Sequence, residues 1–438
     1  MFKNIAGTFG TRIICTVFTL IIVIINAHSF GPEGVGIIGL FVLNITILQI
    51  LTSFVGGPSL IYLLPRCDPF QLLFLSYIFG IVTNGLGTFL LYLFGFVSAE
   101  HVWHLYLCAF FLALFSVNSL YLLAQENIRL YNIFILGQVT VHLSILLILL
   151  YVCQITNVSA YLYSYGASYL LSFAGSVYAV AKNIRYSGFG KLFKLFGQMF
   201  KYGFLIQIAN LSQLLNYRMS YYVIQFIAGI KPLGIFDLGT KLSEAIWIFP
   251  RSISTVQYAR ISNCGDDKVY AKKITLSFLK LTFVFAGTAI LILFCIPEQG
   301  LGLIFGSEFT ASKKIIYALG GGIIVLSCNM ILSHYFSGFG NYKVNTIASA
   351  IGLAVTGGLS LPLIVFFDKL SCSDRIFAVG LITSFSYCSS FVYTLICFVR
   401  DADLKLSELP ITQQDISFVR NEWKKRIEKW SAGRKGQK

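Results

Sequence analysis

Six ionisable side chains stand inside segments that are otherwise apolar: Arg12, Arg218, Lys241 and Arg251, with Asp237 and Glu244. An ionisable group at membrane depth is costly, so it faces water or a partner charge rather than lipid. Helical spacing puts each set on one face. Asp237, Lys241, Glu244, Arg251, Thr255 and Tyr258 follow at steps of four, three, seven, four and three. Gln207, Asn210, Tyr217, Tyr221 and Gln225 form a second stripe with Arg218 at its edge. Thr8, Arg12, Thr16, Thr19 and Asn26 form a third. Three apolar helices with one wet stripe each predict a shared hydrated cavity. Four cations against two carboxylates leave it net positive, which suits an anion and repels a cation. Arginine is the residue for phosphate, because its planar fork donates two parallel hydrogen bonds.

The candidate substrate-binding residues are therefore Arg12, Arg218, Lys241 and Arg251, with Gln207, Asn210, Tyr217 and Tyr221. Glu244 and Asp237 are candidates for a coupling ion, since a carboxylate in a hydrated cavity can exchange a proton or sodium. The alternative is static pairing along their own helix, Asp237 with Lys241 or Lys241 with Glu244. Arg12, Arg218 and Arg251 have no acid within a helical turn of sequence. No catalytic residues, cofactor or metal site is expected. The ten cysteines include no CxxC pair. His28, His101 and His104 read as structural, and the Asp266-Asp267 pair has no third acid nearby. No P-loop, nucleophile elbow or zinc motif is present.

The elements that must hold these residues follow from composition. Of 438 residues, 56% are hydrophobic and 12% charged, against roughly 25% charge in soluble domains. A water-soluble fold cannot hide that much apolar surface, so the chain is expected to be an all-α membrane protein. The start, Met1-Phe2-Lys3-Asn4, shows no signal-peptide pattern, so the first segment is expected to remain as a span. A span takes about 20 residues. Twelve are predicted, near 5–28, 36–63, 70–97, 102–124, 130–153, 160–181, 203–228, 233–258, 273–296, 314–336, 344–366 and 376–399.

The net charge of +15 reads as topology rather than as nucleic-acid binding. Most basic residues fall on the side of both termini, leaving Lys231, Lys313, Lys314, Lys369 and Arg375 opposite. By the positive-inside rule both termini are cytoplasmic. The predicted organisation is a six-helix bundle over 1–181, a basic cytoplasmic connection over 182–202, a second six-helix bundle over 203–399 and a basic tail over 400–438. In the tail Trp423, Ile427 and Trp430 suggest an amphipathic helix on anionic headgroups. Two echoes link the halves. Gly31-x4-Gly36-Ile37 matches Gly229-x4-Gly234-Ile235, and Tyr121-x5-Asn127-Ile-Arg129 matches Tyr335-x5-Asn341-Tyr-Lys343. Parallel repeats of this kind are typical of secondary transporters, with the substrate site between the halves.

Four further motifs carry a family resemblance. They are Phe30-Gly31-Pro32-Glu33-Gly34-Val35-Gly36, Pro58-x3-Tyr62-x2-Pro65-Arg66, Leu233-Gly234-Ile235-Phe236-Asp237-Leu238 and Leu303-Ile304-Phe305-Gly306-Ser307-Glu308-Phe309. With the twelve-span frame over about residues 1–400, the chain resembles bacterial polysaccharide and O-antigen flippases, the Wzx-type branch of the MATE-like MOP exporters. The resemblance implies a cleft lined by spans one, two, seven and eight. It also implies an undecaprenyl-diphosphate-linked oligosaccharide as substrate, moved from the cytoplasmic to the outer leaflet of the bacterial inner membrane by alternating access. Membrane lipids, and a polymerase and glycosyltransferases of the same pathway, are the implied partners. The second span departs from the pattern, with no charge between Gly36 and Leu64. Two alternatives remain: a cation-coupled multidrug exporter of the same superfold, which predicts an acidic cavity, and a membrane-embedded polymerase or ligase, which predicts a large outer loop. No outer loop is long.

Overall fold

The computed structural model describes residues 2–404, except 183, 185, 187, 189, 191, 264–266 and 367–369. The Trp423–Ile427–Trp430 stripe, Asp266 and Lys369 lie outside the described residues, as does much of the chain between Lys182 and Leu192. Among the described residues the secondary structure is helical, with no strand. The helices are α1 (Phe2–Gly56), α2 (Pro58–Leu63), α3 (Pro69–Leu93), α4 (Val102–Ala124), α5 (Ile128–Leu147), α6 (Ser159–Ala181) and α7 (Leu192–Ala228). There follow α8 (Ile230–Glu244), α9 (Ile248–Asn263), α10 (Lys268–Cys295), α11 (Glu298–Phe305), α12 (Ser312–Gly338), α13 (Tyr342–Phe366) and α14 (Cys372–Asp401).

Among the described residues, eight helical stretches are long and apolar enough to cross a membrane. The first, Gly10–Leu63, is long enough for two passes. Dividing it at Gly31 and adding α6, α7 and the α8–α9 pair restores the twelve-pass layout. Those last three fall short on hydropathy for different reasons. Serines and tyrosines dilute α6, and α7 to α9 carry the charged stripes.

The chain forms two compact units. One comprises the residues up to Leu214 with Ile304–Gly306, the other Leu215–Leu303 with the chain from Ser307 on. In the first unit, Leu48, Leu105, Leu146 and Ala160 share one core, and Val55, Leu60, Leu72 and Met199 a second. In the second unit the core holds Ile274, Ile331, Tyr335 and Phe398. Phe89, Leu93, Leu291 and Val365 remain exposed, which lipid tolerates and water would not.

Both sequence echoes correspond to matched backbone geometry. Gly31 breaks α1 with φ 61° and ψ −171°. Gly229 caps α8 with φ 90° and ψ −174°. Only glycine adopts this region readily. The gap expected between the spans 5–28 and 36–63 is thus a one-residue break at Gly31, with Pro32 in the first turn after it, where its fixed φ fits a helix start. In the second echo α4 and α12 end alike. Glu126 and Gly340 both have positive φ. The amides of Asn127 and Asn341 donate to the carbonyls five residues back, Leu122 and Phe336, at 2.9 Å each. This is the left-handed cap that satisfies the last carbonyls of a helix. A third match escaped the sequence reading: Asp68 and Asp267 cap α3 and α10, accepting from the amides of Gln71 and Tyr270 at 3.1 and 2.9 Å.

Two predicted spans depart most from the observed helices. The seventh begins not at 203 but at Leu192, eleven residues earlier, so α7 takes in part of the expected connection. The eighth is broken: α8 ends at Glu244, a 3-10 turn covers Ala245–Trp247, and α9 starts at Ile248. Pro250 explains the break, because it lacks the amide that a continuous helix would use, and its ring fits best in the first turn of a new helix.

Candidate functional site

The second unit gathers most of the predicted charged residues. Arg218 of α7 meets Glu244, the last residue of α8, in a two-pronged ion pair with both N–O distances 2.6 Å. The side chains are 23% and 12% exposed, so the pair is largely shielded. The guanidinium also lies over the Tyr221 ring, 5.2 Å from its centroid. Tyr221 is buried, and its hydroxyl donates to Asp237 Oδ1 at 2.8 Å. The other oxygen of Asp237 pairs with Lys241 Nζ at 2.6 Å. Glu244, Arg218, Tyr221, Asp237 and Lys241 thus form one continuous chain of contacts across α7 and α8.

This arrangement differs from the sequence expectation at two points. Asp237 and Lys241 do pair along their helix. The Lys241–Glu244 alternative does not form, because Glu244 reaches Arg218 instead. Arg218, without an acid near it in sequence, finds one on the neighbouring helix. The break after Glu244 also divides the predicted stripe. Three residues at 3-10 pitch turn about 60° further than three at α pitch. Arg251, Thr255 and Tyr258 are therefore rotated off the face of Asp237, Lys241 and Glu244.

Arg251 is exposed and has no acidic partner among the described residues. Its guanidinium lies 5.6 Å from the ring centroid of buried Trp247. Tyr217 stands between Trp247 and Tyr387, at ring distances of 5.6 and 5.8 Å. Neither Trp247 nor Tyr387 was singled out in the sequence. Trp247 lies in an apolar run, and Tyr387 belongs to α14, which carries no charged stripe. Further along α7, Asn210 donates to Gln207 Oε1 at 3.0 Å. Arg12 belongs to the first unit, is exposed, and also lacks an acidic partner among the described residues. Four cations and two carboxylates thus resolve into two neutral pairs and two uncompensated arginines, Arg12 and Arg251.

A second polar cluster in this unit was not foreseen. Ser386 Oγ lies 2.8 Å from Asn216 Oδ1 and 2.7 Å from the Gly352 carbonyl oxygen, with its one hydroxyl proton shared between them. All the partners are buried and neutral, so the cluster ties α7, α13 and α14 together. Among the described residues no group of three or more His, Cys, Asp and Glu is placed to hold a metal ion.

No family model matches the sequence. A flippase from Haloferax volcanii, described as a probable low-salt glycan biosynthesis flippase (Agl15), is 21% identical over 170 residues. That match covers 36% of this chain and 35% of the relative, so the chain spans about a third of the curated relative it matches. Solved structures are similar over far more of the chain. The lipid II flippase MurJ in its inward closed conformation superposes with TM-score 0.69 at 16% identity, over 92% of this chain and 89% of that one. An inward-facing MATE multidrug transporter of the MOP superfamily gives 0.69 at 13% identity, over 89% and 95%. A MOP superfamily transporter from Pyrococcus furiosus, reported with reversed polarity of its binding pocket, gives 0.60 at 13% identity, over 91% and 95%. The fold is therefore that of the MOP-superfamily transporters, and the chain is a multi-pass membrane protein.

Proposed function

We propose that the chain is a flippase rather than an enzyme. It carries a polyprenyl-diphosphate-linked oligosaccharide from the cytoplasmic to the outer leaflet of a bacterial inner membrane, for polysaccharide or O-antigen export. The observation that carries this reading is the charge left after pairing. Arg218 and Lys241 are neutralised by Glu244 and Asp237, and Arg12 and Arg251 are not. A diphosphate head cannot enter hydrocarbon unaided, because unpaired charge there is prohibitively costly. The polyprenyl tail meets no such barrier and stays in lipid. The protein need only offer the head a polar, cationic route, and alternating access lets it do so without an open pore. Drug cations would meet repulsion at Arg251, which disfavours the multidrug-exporter reading.

The Arg218–Glu244 pair fits this reading as an exchange site. A phosphate can take the same two donors on Arg218 that Glu244 now occupies. Glu244, once displaced, is free to take a proton or sodium ion, and Asp237 stays held by Tyr221 and Lys241. A polymerase and the glycosyltransferases of the same pathway are the proposed functional partners. The test is complementation of a bacterial strain deleted for its own lipid-linked-glycan flippase. Surface polysaccharide should return with the intact chain and fail with Arg251→Ala, at equal amounts of inserted protein. Drug resistance without polysaccharide would instead favour the multidrug exporter.

A further inference from the structure

The motif Pro58-x3-Tyr62-x2-Pro65-Arg66 has no part in the charged chain of α7 and α8, and it lies in the other unit. Pro58 starts α2 after Gly57, and the short helix ends at Leu63. Arg66 sits in the turn that follows and folds back on it. Its Nη1 donates to the Tyr62 carbonyl at 2.8 Å, and its guanidinium lies 4.0 Å from the Tyr62 ring centroid. Across from Tyr62 stands Tyr202 of α7, with ring centroids 4.9 Å apart and planes inclined by 47°. Both tyrosines are about half exposed, 47% and 46%. Arg66 is exposed and has no acidic partner among the described residues, and the neighbouring Lys201 is exposed as well. The one carboxylate in this turn, Asp68, accepts from the Gln71 amide as the cap of α3.

A cation held against one tyrosine ring, with a second half-exposed tyrosine beside it, matches a particular ligand chemistry. A pyranose presents an apolar C–H face that stacks on the electron-rich face of an aromatic ring. A phosphate takes the free donors of an oriented guanidinium. We propose that Tyr62, Arg66 and Tyr202 form a loading platform for the head of the lipid-linked substrate, with the rings against the first sugar and Arg66 on the diphosphate. This rests on the flippase reading above and deepens it, because it assigns sugar contact to residues other than the arginines that carry the charge. An anionic phospholipid headgroup shares the phosphate but has no pyranose, so the rings decide between them.

The test uses the full chain in nanodiscs of zwitterionic phospholipid. Three probes are compared: undecaprenyl diphosphate bearing one N-acetylhexosamine, bare undecaprenyl diphosphate, and phosphatidylglycerol. The intact chain should prefer the sugar-bearing lipid over the bare diphosphate by about tenfold, the scale of one good aromatic contact. Tyr62→Ala and Tyr202→Ala should each reduce that preference to about threefold or less; Tyr202→Ala should leave bare-diphosphate binding unchanged, whereas Tyr62→Ala, which also removes the ring under Arg66, should weaken it. Tyr62→Phe keeps the ring and should keep the preference, whereas Arg66→Ala should weaken both diphosphates equally. A preference that survives in both Tyr→Ala variants overturns the platform. If Arg251→Ala abolishes diphosphate binding in the same assay, the substrate reading stands without it. If the intact chain binds neither diphosphate better than phosphatidylglycerol, both readings fall together.

Discussion

At the scale of residues, pairing separates the charges that hold the fold from those free to act. Glu244 is mostly shielded, and Arg218 is its main compensation. Removing one partner of such a pair strands the other, at a cost of about 3 kcal/mol or more. Arg218→Met should therefore lower thermal stability in detergent, and Glu244→Met should do likewise. The double variant should recover to within about 1 kcal/mol of the parent, since two apolar side chains can replace a shielded pair. Full additivity of the two losses would show that Arg218 and Glu244 are not coupled. Arg251 belongs to the other class. It is exposed, so Arg251→Ala should change stability by less than about 0.5 kcal/mol. Transport should nonetheless fall sharply, and a variant that transports normally would remove Arg251 from the substrate route.

At the scale of elements, the two matched glycines make a sharper claim than the sequence echo alone. Gly31 and Gly229 share a backbone conformation that a side chain strains by about 1–3 kcal/mol. Gly31→Ala and Gly229→Ala should each reduce the yield of folded protein. Gly10→Ala is the control. An added methyl at Gly10 meets nothing within 4 Å, and the residue lies within a helix, where alanine is preferred by roughly 0.5–1 kcal/mol. Equal loss in all three, read as monodisperse protein after detergent extraction, would contradict the conformational argument. The same elements show what was legible beforehand. The predicted spans at 102–124 and 160–181 nearly coincide with α4 and α6, because each is a continuous run bounded by turn residues. The start of α7 was missed because Lys194 and Lys201 made 192–202 look like a loop, although polar residues are compatible with a helix outside hydrocarbon. The break after Glu244 follows from one missing amide at Pro250, which a stripe drawn at steady helical pitch does not register. The Arg218–Glu244 pair was illegible for another reason: its partners are 26 residues apart, and only the packing of α7 on α8 brings them together.

At the scale of the whole molecule, the positive-inside argument leaves five basic residues on the outer side as exceptions, and four of them lie among the described residues. Lys313 is buried and donates to the last carbonyls of α10, Leu293 and Phe294 at 2.9 and 2.8 Å and also Ile296. It thus supplies the cation that the negative end of a helix favours. Arg375 donates to the carbonyls of Leu370 and Ile227 at 3.0 and 2.9 Å. Lys231 pairs with Glu308 at 2.6 Å, and Lys314 donates to Ser373 at 3.0 Å. Each of the four described exceptions has a local structural partner, so these four weigh little against an orientation with both termini in the cytoplasm. The native cysteines can test that orientation. Cys153, Cys295 and Cys372 are exposed, at the ends of spans five and nine and the start of span twelve. All three then fall on the outer side, and Cys67, between spans two and three, falls inside. A membrane-impermeant maleimide applied to intact cells should label the first three, each signal disappearing when that cysteine alone is changed to serine. Cys67 should react only after the membrane is permeabilised. The opposite pattern would invert the topology, and with it the direction in which the cationic route opens first.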